Sequence, residues 1–124
     1  RNAKRIAEAL KANPHVTDVF YVGDPDHPDY ALSKRQTAGF GAMISFKTDT
    51  HRRAIDALER TRLILFAESL GGTESLITYP LAQTHGAIPK PMLDKLGIDD
   101  RLLRLSVGIE DVEDLLADLG QALA

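Results

Sequence analysis

The apolar positions change their period along the chain, and each change marks an element. Ala3, Ile6, Ala7 and Leu10 recur at i, i+3, i+4 and i+7, the stripe of an amphipathic helix, which Asn13 and Pro14 end. VTDVFYV (16–22) is dense in β-branched and aromatic side chains and predicts a strand. GDPDHPD (23–29) cannot prolong it, because Pro25 and Pro28 fix φ and remove donors. A short helix is expected over 30–37. After Gly39, Phe40 and Gly41 a second strand, AMISF (42–46), turns Ala42, Ile44 and Phe46 to one face. Thr48, Asp49 and Thr50 offer N-caps for a helix with Ala54, Ile55 and Leu58 inward. LILFA (63–67) reads as a buried strand, and SLITY (75–79) as another candidate. Residues 89–96 predict a short helix that Gly97 stops, and LLRLSV (102–107) a further strand. Asp111 then caps a last helix striped by Val112, Leu115, Leu116, Leu119 and Ala122.

Helices alternate with strands, without repeat, low-complexity linker or internal boundary. The economical solution is an α/β fold of two layers (α+β): a sheet of about four strands with helices packed on one face. At 124 residues the chain suits a single domain, 1–124. Its formal charge of −3 argues against a nucleic-acid partner, and a solvated helix face accounts for Arg52 and Arg53. With no cysteine, neither disulfides nor thiolate chemistry contributes, which fits a reducing compartment and a cytoplasmic location. No apolar run approaches the roughly 20 residues of a membrane span, and no signal peptide is visible. The chain enters helical pattern directly at Arg1, as a piece of something longer would.

Arg104 stands out chemically, as a guanidinium inside an apolar strand. Period two resolves the oddity: Leu103, Leu105 and Val107 face one way, and Leu102, Arg104 and Ser106 the other. On pattern alone a solvated or ion-paired arginine is the commoner outcome. The functional alternative is a fork of fixed donors that grips a carboxylate or phosphate in bidentate fashion. Gly71 and Gly72 could present backbone N–H groups to an anion, although an ordinary turn is the commoner use, and no phosphate-loop lysine follows. Asp24, Asp26, His27 and Asp29 lack the spacing, glycine and distal glutamate of a calcium loop, so a capped turn is expected and no metal. His15, His27, His51 and His85 are scattered, without zinc spacing, and no GxSxG elbow marks a nucleophile.

Taken together, several separated motifs resemble one family. AESLGGTESLITYP (67–80), QTH (83–85) and the run from Gly97 to LLRLSVGIEDVEDLLADL resemble the C-terminal domain of the Cys/Met-metabolism family of pyridoxal-phosphate enzymes. HPDY and KRQTAGFGAMISF, within 27–46, are similar to the stretch before that domain's first helix. The family includes cystathionine β- and γ-lyases, cystathionine γ-synthase, methionine γ-lyase and homoserine sulfhydrylases.

The resemblance implies the small C-terminal domain of a fold-type I enzyme, with mostly antiparallel strands. Residues 1–12 would be an incoming helix and 13–124 the small domain proper. It assigns Arg104 to the α-carboxylate of an amino-acid substrate such as cystathionine, and sets Glu68 and Ser69 close to that substrate. Lys4, Lys11, Lys34, Lys47, Lys90 and Lys95 do not sit in the family's Schiff-base motif, so the large pyridoxal-binding domain is expected to be missing. Pyridoxal 5'-phosphate would belong to the full-length enzyme, a homotetramer, and this chain alone would be inactive. ITYP followed by QTH resembles the bacterial branch in which β-lyase and γ-synthase are hard to tell apart; cystathionine β-lyase is the member expected, with γ-synthase, γ-lyase and sulfhydrylase as alternatives. A free-standing amino-acid-binding regulatory module is the alternative of another class.

Overall fold

Ladder hydrogen bonds join five segments of this chain into a single sheet. The computed structural model describes residues 1–67, 71–81 and 89–124. Its elements are α1 (Asn2–Ala12), β1 (Val16–Phe20), α2 (Tyr30–Gln36), β2 (Met43–Thr48), α3 (His51–Arg60), β3 (Leu65–Phe66), β4 (Leu76–Thr78), α4 (Lys90–Leu96), β5 (Leu102–Ser106) and α5 (Val112–Ala122). The sheet order is β1-β2-β5-β4-β3. The first three pairings are antiparallel, and β3 runs parallel to β4. The α/β expectation holds, with five strands rather than about four.

Register sorts the side chains by face. Ile44 and Ile77 lie opposite Leu105, and Phe46 opposite Leu103; all five are 0% exposed. They join the core from α1 (Ala3, Ile6, Ala7, Leu10), α3 (Ala54, Ala57) and α5 (Leu115, Leu119). Thr50 starts α3 by accepting the Arg53 N–H, and Asp111 starts α5 by accepting from Glu113 and Asp114. In α3 the deepest positions are Ala54 and Ala57, while Ile55 and Leu58 are half-buried. The one-face expectation describes α1, α3 and α5. Helix α4 lies on the opposite face, where Leu93 and Ile98 pack on Leu102. Gly97, at φ 76°, turns the chain so that the Ile98 N–H returns to Leu93 O.

LILFA is where the sequence expectation fails. Ile64 is buried, but Leu65 and Phe66 are 48% and 53% exposed and form only a two-residue edge strand. The cause lies in α5. The Asp118 carboxylate accepts the backbone N–H groups of Arg62, Leu63 and Ile64, at 2.8, 2.9 and 2.9 Å. Those amides are unavailable to a ladder, so β3 begins only at Leu65.

Candidate functional site

Arg104 is held at the middle of the sheet, between β2 and β4, with Ser45 and Thr78 as its cross-strand neighbours. Directly opposed residues in an antiparallel pair project to the same side, so Ser45, Thr78, Arg104 and Ser106 share the face away from the main core. Arg104 is half-buried and borders a cavity of about 330 Å³, walled by Phe20, Ser45, Lys47, Leu96 and Leu102. Phe20 and Leu96, apolar parts of that wall, are 46% and 56% exposed. Lys47, also on this wall, donates its Nζ proton to Asp99 Oδ2 at 3.0 Å. Burial pushes the Asp99 carboxyl up, but the Arg101 N–H and the Lys47 ammonium outweigh it and hold it below the usual range.

Gly71 does not offer its N–H to an anion. It takes a left-handed conformation, φ 75°, and donates to Ser106 Oγ at 2.9 Å. At Gly71 the bend reading is therefore the one observed. Glu68 and Ser69 lie outside the described residues, as does the QTH motif.

The described parts of the motifs form a clasp at the exit of β5. Glu110 accepts from Ser75 N at 2.8 Å and from Ser75 Oγ at 2.9 Å. Ser75 Oγ in turn accepts the Gly108 N–H at 2.8 Å, and Thr73 O accepts the Ile109 N–H at 2.9 Å. Burial raises the Glu110 carboxyl, and the Ser75 donors bring it back below its ordinary value. Gly108 is required by this closeness: a Cβ there would stand 2.2 Å from Thr73 O. Asn2 Nδ2 adds bonds to Gly108 O and Glu110 O, tying α1 to the clasp. Sequence reasoning assigned no role to Ser75, Glu110 or Asp118. The signal for the first two was the pair of motifs, GGTES and GIED, that they sit in.

The 23–29 segment is a capped turn, as expected. Asp24 Oδ1 accepts the Asp26 N–H, His27 Nδ1 accepts the Asp29 N–H, and Lys11 reaches Asp24 and Asp26 at 2.7 and 3.1 Å. Among the described residues no cluster of His, Asp or Glu could hold a metal ion, and no helix is long and apolar enough to cross a membrane. His15 pairs with Asp49, and His51 bonds Asp100 O.

These elements define an α/β domain with Arg104 mid-sheet beside a cavity. Residues 1–124 match the family described as Cys/Met metabolism PLP-dependent enzyme, and the chain belongs to that family. It is 49% identical to cystathionine gamma-lyase of Bacillus subtilis over 99% of its length, covering 32% of that protein. It is 45% identical to cystathionine beta-lyase of Lactococcus lactis subsp. cremoris, covering 98% of this chain and 32% of the relative. The crystal structure of cystathionine gamma synthase from Xanthomonas oryzae pv. oryzae in complex with cystathionine superposes with a TM-score of 0.94 at 45% identity. That match covers 98% of this chain and 32% of the other. The chain thus spans about a third of the length of these relatives.

Of the six lysines of this chain, three are held in ion pairs that oppose their carrying an aldehyde. A lysine that condenses with an aldehyde must be able to shed its proton and approach freely. The lysine beside Arg104, Lys47, is instead locked to Asp99, and Lys11 and Lys90 are ion-paired at the surface.

Proposed function

We propose that this chain is the substrate-carboxylate-binding C-terminal domain of a PLP-dependent carbon–sulfur lyase or synthase acting on cystathionine or a related amino acid. The observation that carries the reading is the placement of Arg104, half-buried mid-sheet, with its fork beside a cavity walled by Phe20 and Leu96. A planar fork fixes both the position and the tilt of a carboxylate, and the apolar walls strengthen the contact by excluding water. Bound pyridoxal phosphate supplies an electron sink for breaking bonds at the substrate's α carbon. This chain's contribution is to bind and orient. The complementary two-thirds of the enzyme would provide the cofactor-binding lysine and close the cavity, in a cytoplasmic homotetramer. Alone, the chain holds no cofactor and turns over no substrate. Glu68 and Ser69 belong to the same substrate wall in this reading.

Among family members we place the parent with the cystathionine β-lyases. The ITYP and QTH motifs suit the bacterial branch that holds β-lyases and γ-synthases, and γ-lyase and β-lyase relatives match at 49% and 45% identity. Product analysis of the full-length enzyme with cystathionine decides: pyruvate marks cleavage at the β carbon, and 2-oxobutyrate cleavage at the γ carbon.

The role of Arg104 is tested by Arg104→Ala in the full-length enzyme. Loss of a charged bidentate contact should remove about 2–4 kcal/mol of transition-state binding, roughly 30- to 1000-fold in kcat/KM, with the cofactor retained. A defect explained wholly by loss of cofactor would refute the assignment.

A further inference from the structure

We propose that the hydroxyls of Thr78 and Ser106 are positioning groups for the Arg104 site: they fasten the β3–β4 crossover onto the sheet face from which Arg104 projects. The inference rests on the reading of Arg104 as a carboxylate anchor, and deepens it by naming residues that hold its surroundings in place.

Adjacent parallel strands cannot be joined in the plane of the sheet; the connection must pass over one face, usually with a dozen or more residues. Here β3 ends at Phe66 and β4 begins at Leu76, so only residues 67–75 make the passage. So short a crossover depends on fastenings at its ends. The described part supplies them. At one stem, the Ala67 N–H donates to Ile77 O at 3.0 Å and Ala67 O accepts the Thr78 hydroxyl. At the other, the Gly71 N–H donates to Ser106 Oγ.

Both hydroxyls stand on the Arg104 face. Thr78 is the cross-strand partner of Arg104, and Ser106 is two residues further along the same strand. They are 1% and 2% exposed, so no water replaces either bond if it is lost. The bonds among Thr73, Ser75, Gly108, Ile109 and Glu110 fix the far end of the crossover to the residues that leave β5. The described ends of the crossover are therefore registered to β4 and β5, the strands that carry Thr78 and Arg104. Losing either hydroxyl would loosen a described end of the crossover beside the Arg104 site.

Ser106→Ala and Thr78→Val, which keep shape and remove the hydroxyl, test this in the full-length enzyme with its cofactor. Three quantities are measured: amide exchange at Gly71, the Kd of an unreactive α-amino-acid analogue, and KM against kcat. Ser106→Ala is expected to speed Gly71 exchange. Each variant should weaken the analogue about five- to tenfold, the worth of one neutral hydrogen bond, with the loss falling on KM and with cofactor absorbance unchanged. Ser106→Thr should restore affinity. If Ser106→Ala fails to fold, Ser106→Cys, a weaker acceptor of similar size, should give an intermediate loss. Wild-type analogue affinity in the hydroxyl variants, alongside a large loss in Arg104→Lys, overturns the positioning role alone. Wild-type affinity in Arg104→Lys as well removes the anchor reading on which it rests.

Discussion

Asp118 shows how one buried charge can decide the length of a strand. At 6% exposure its carboxylate would be costly without partners, yet it receives three successive backbone N–H groups and the Gln121 amide. Burial pushes its pKa up, and the donors from Ile64, Arg62, Gln121 and Leu63 together bring it below the ordinary value. Because the folded value lies below the unfolded one, the stabilisation is complete above about pH 4 and is lost as pH falls through the folded value. Asp118→Ala should cost about 3 kcal/mol at neutral pH, and Asp118→Asn less, since one oxygen still accepts. Thermal unfolding between about pH 6 and 2 should show a shallower acid-side decline in Asp118→Asn than in wild type. An identical decline would mean that the three amides draw nothing from the charge. Position 118 was legible only as a break in the apolar stripe of α5, three residues after Leu115. Periodicity marks such a site as buried but does not reveal which backbone groups it satisfies.

Secondary elements were legible wherever the local signal and the tertiary demand agreed. Pattern and caps located α1, α3, α5 and β2, because the stripe that defines each is the face it buries. Gly97 was legible as a stop for the same reason: the left-handed turn it adopts is a property of the residue itself. β3 was not, because its shortening comes from a carboxylate 54 residues further on in sequence. The face of α4 was equally hidden, since Leu93 answers to Leu102, which a strand pattern alone leaves facing open space. Arg104 was readable as a second-face residue from period two, but its flanking hydroxyls needed the register. Two glycines separate element-level effects cleanly. Gly120 lies in α5 with nothing within 4 Å of an added Cβ, so Gly120→Ala should stabilise by up to about 1 kcal/mol. Gly97 sits at φ 76°, where a Cβ is strained, so Gly97→Ala should destabilise by about 1–2 kcal/mol. Urea midpoints of the two variants should move in opposite directions. A shared direction would contradict the conformational account of one of them.

At the scale of the whole molecule, the open question is where the folding unit begins. An incoming helix over 1–12, attached to a small domain of 13–124, would imply that α1 is dispensable. The packing argues the other way. α1 covers β1 and β2 and lies against α5, with Ile6 at 0% exposure and Ala3, Ala7 and Leu10 nearly as deep. Asn2 ties its first turn to the residues leaving β5, and Lys11 ties its last turn to the 23–29 segment. Without α1, Ile44, Phe46 and the inner face of α5 would lose part of their cover. Domains of this size are stable by only about 5–15 kcal/mol, and truncating one buried Ile to Ala removes about 2–5 of that. Four core positions and two sets of ties exceed what the remainder can spare. The chain 13–124 should therefore lose cooperative thermal unfolding and near-ultraviolet circular dichroism while keeping partial helix signal, and Ile6→Ala in the intact chain should lower stability by about 3 kcal/mol. A truncated chain that melts as sharply and as late as the full one would make α1 an accessory, and the small domain would then begin at Asn13.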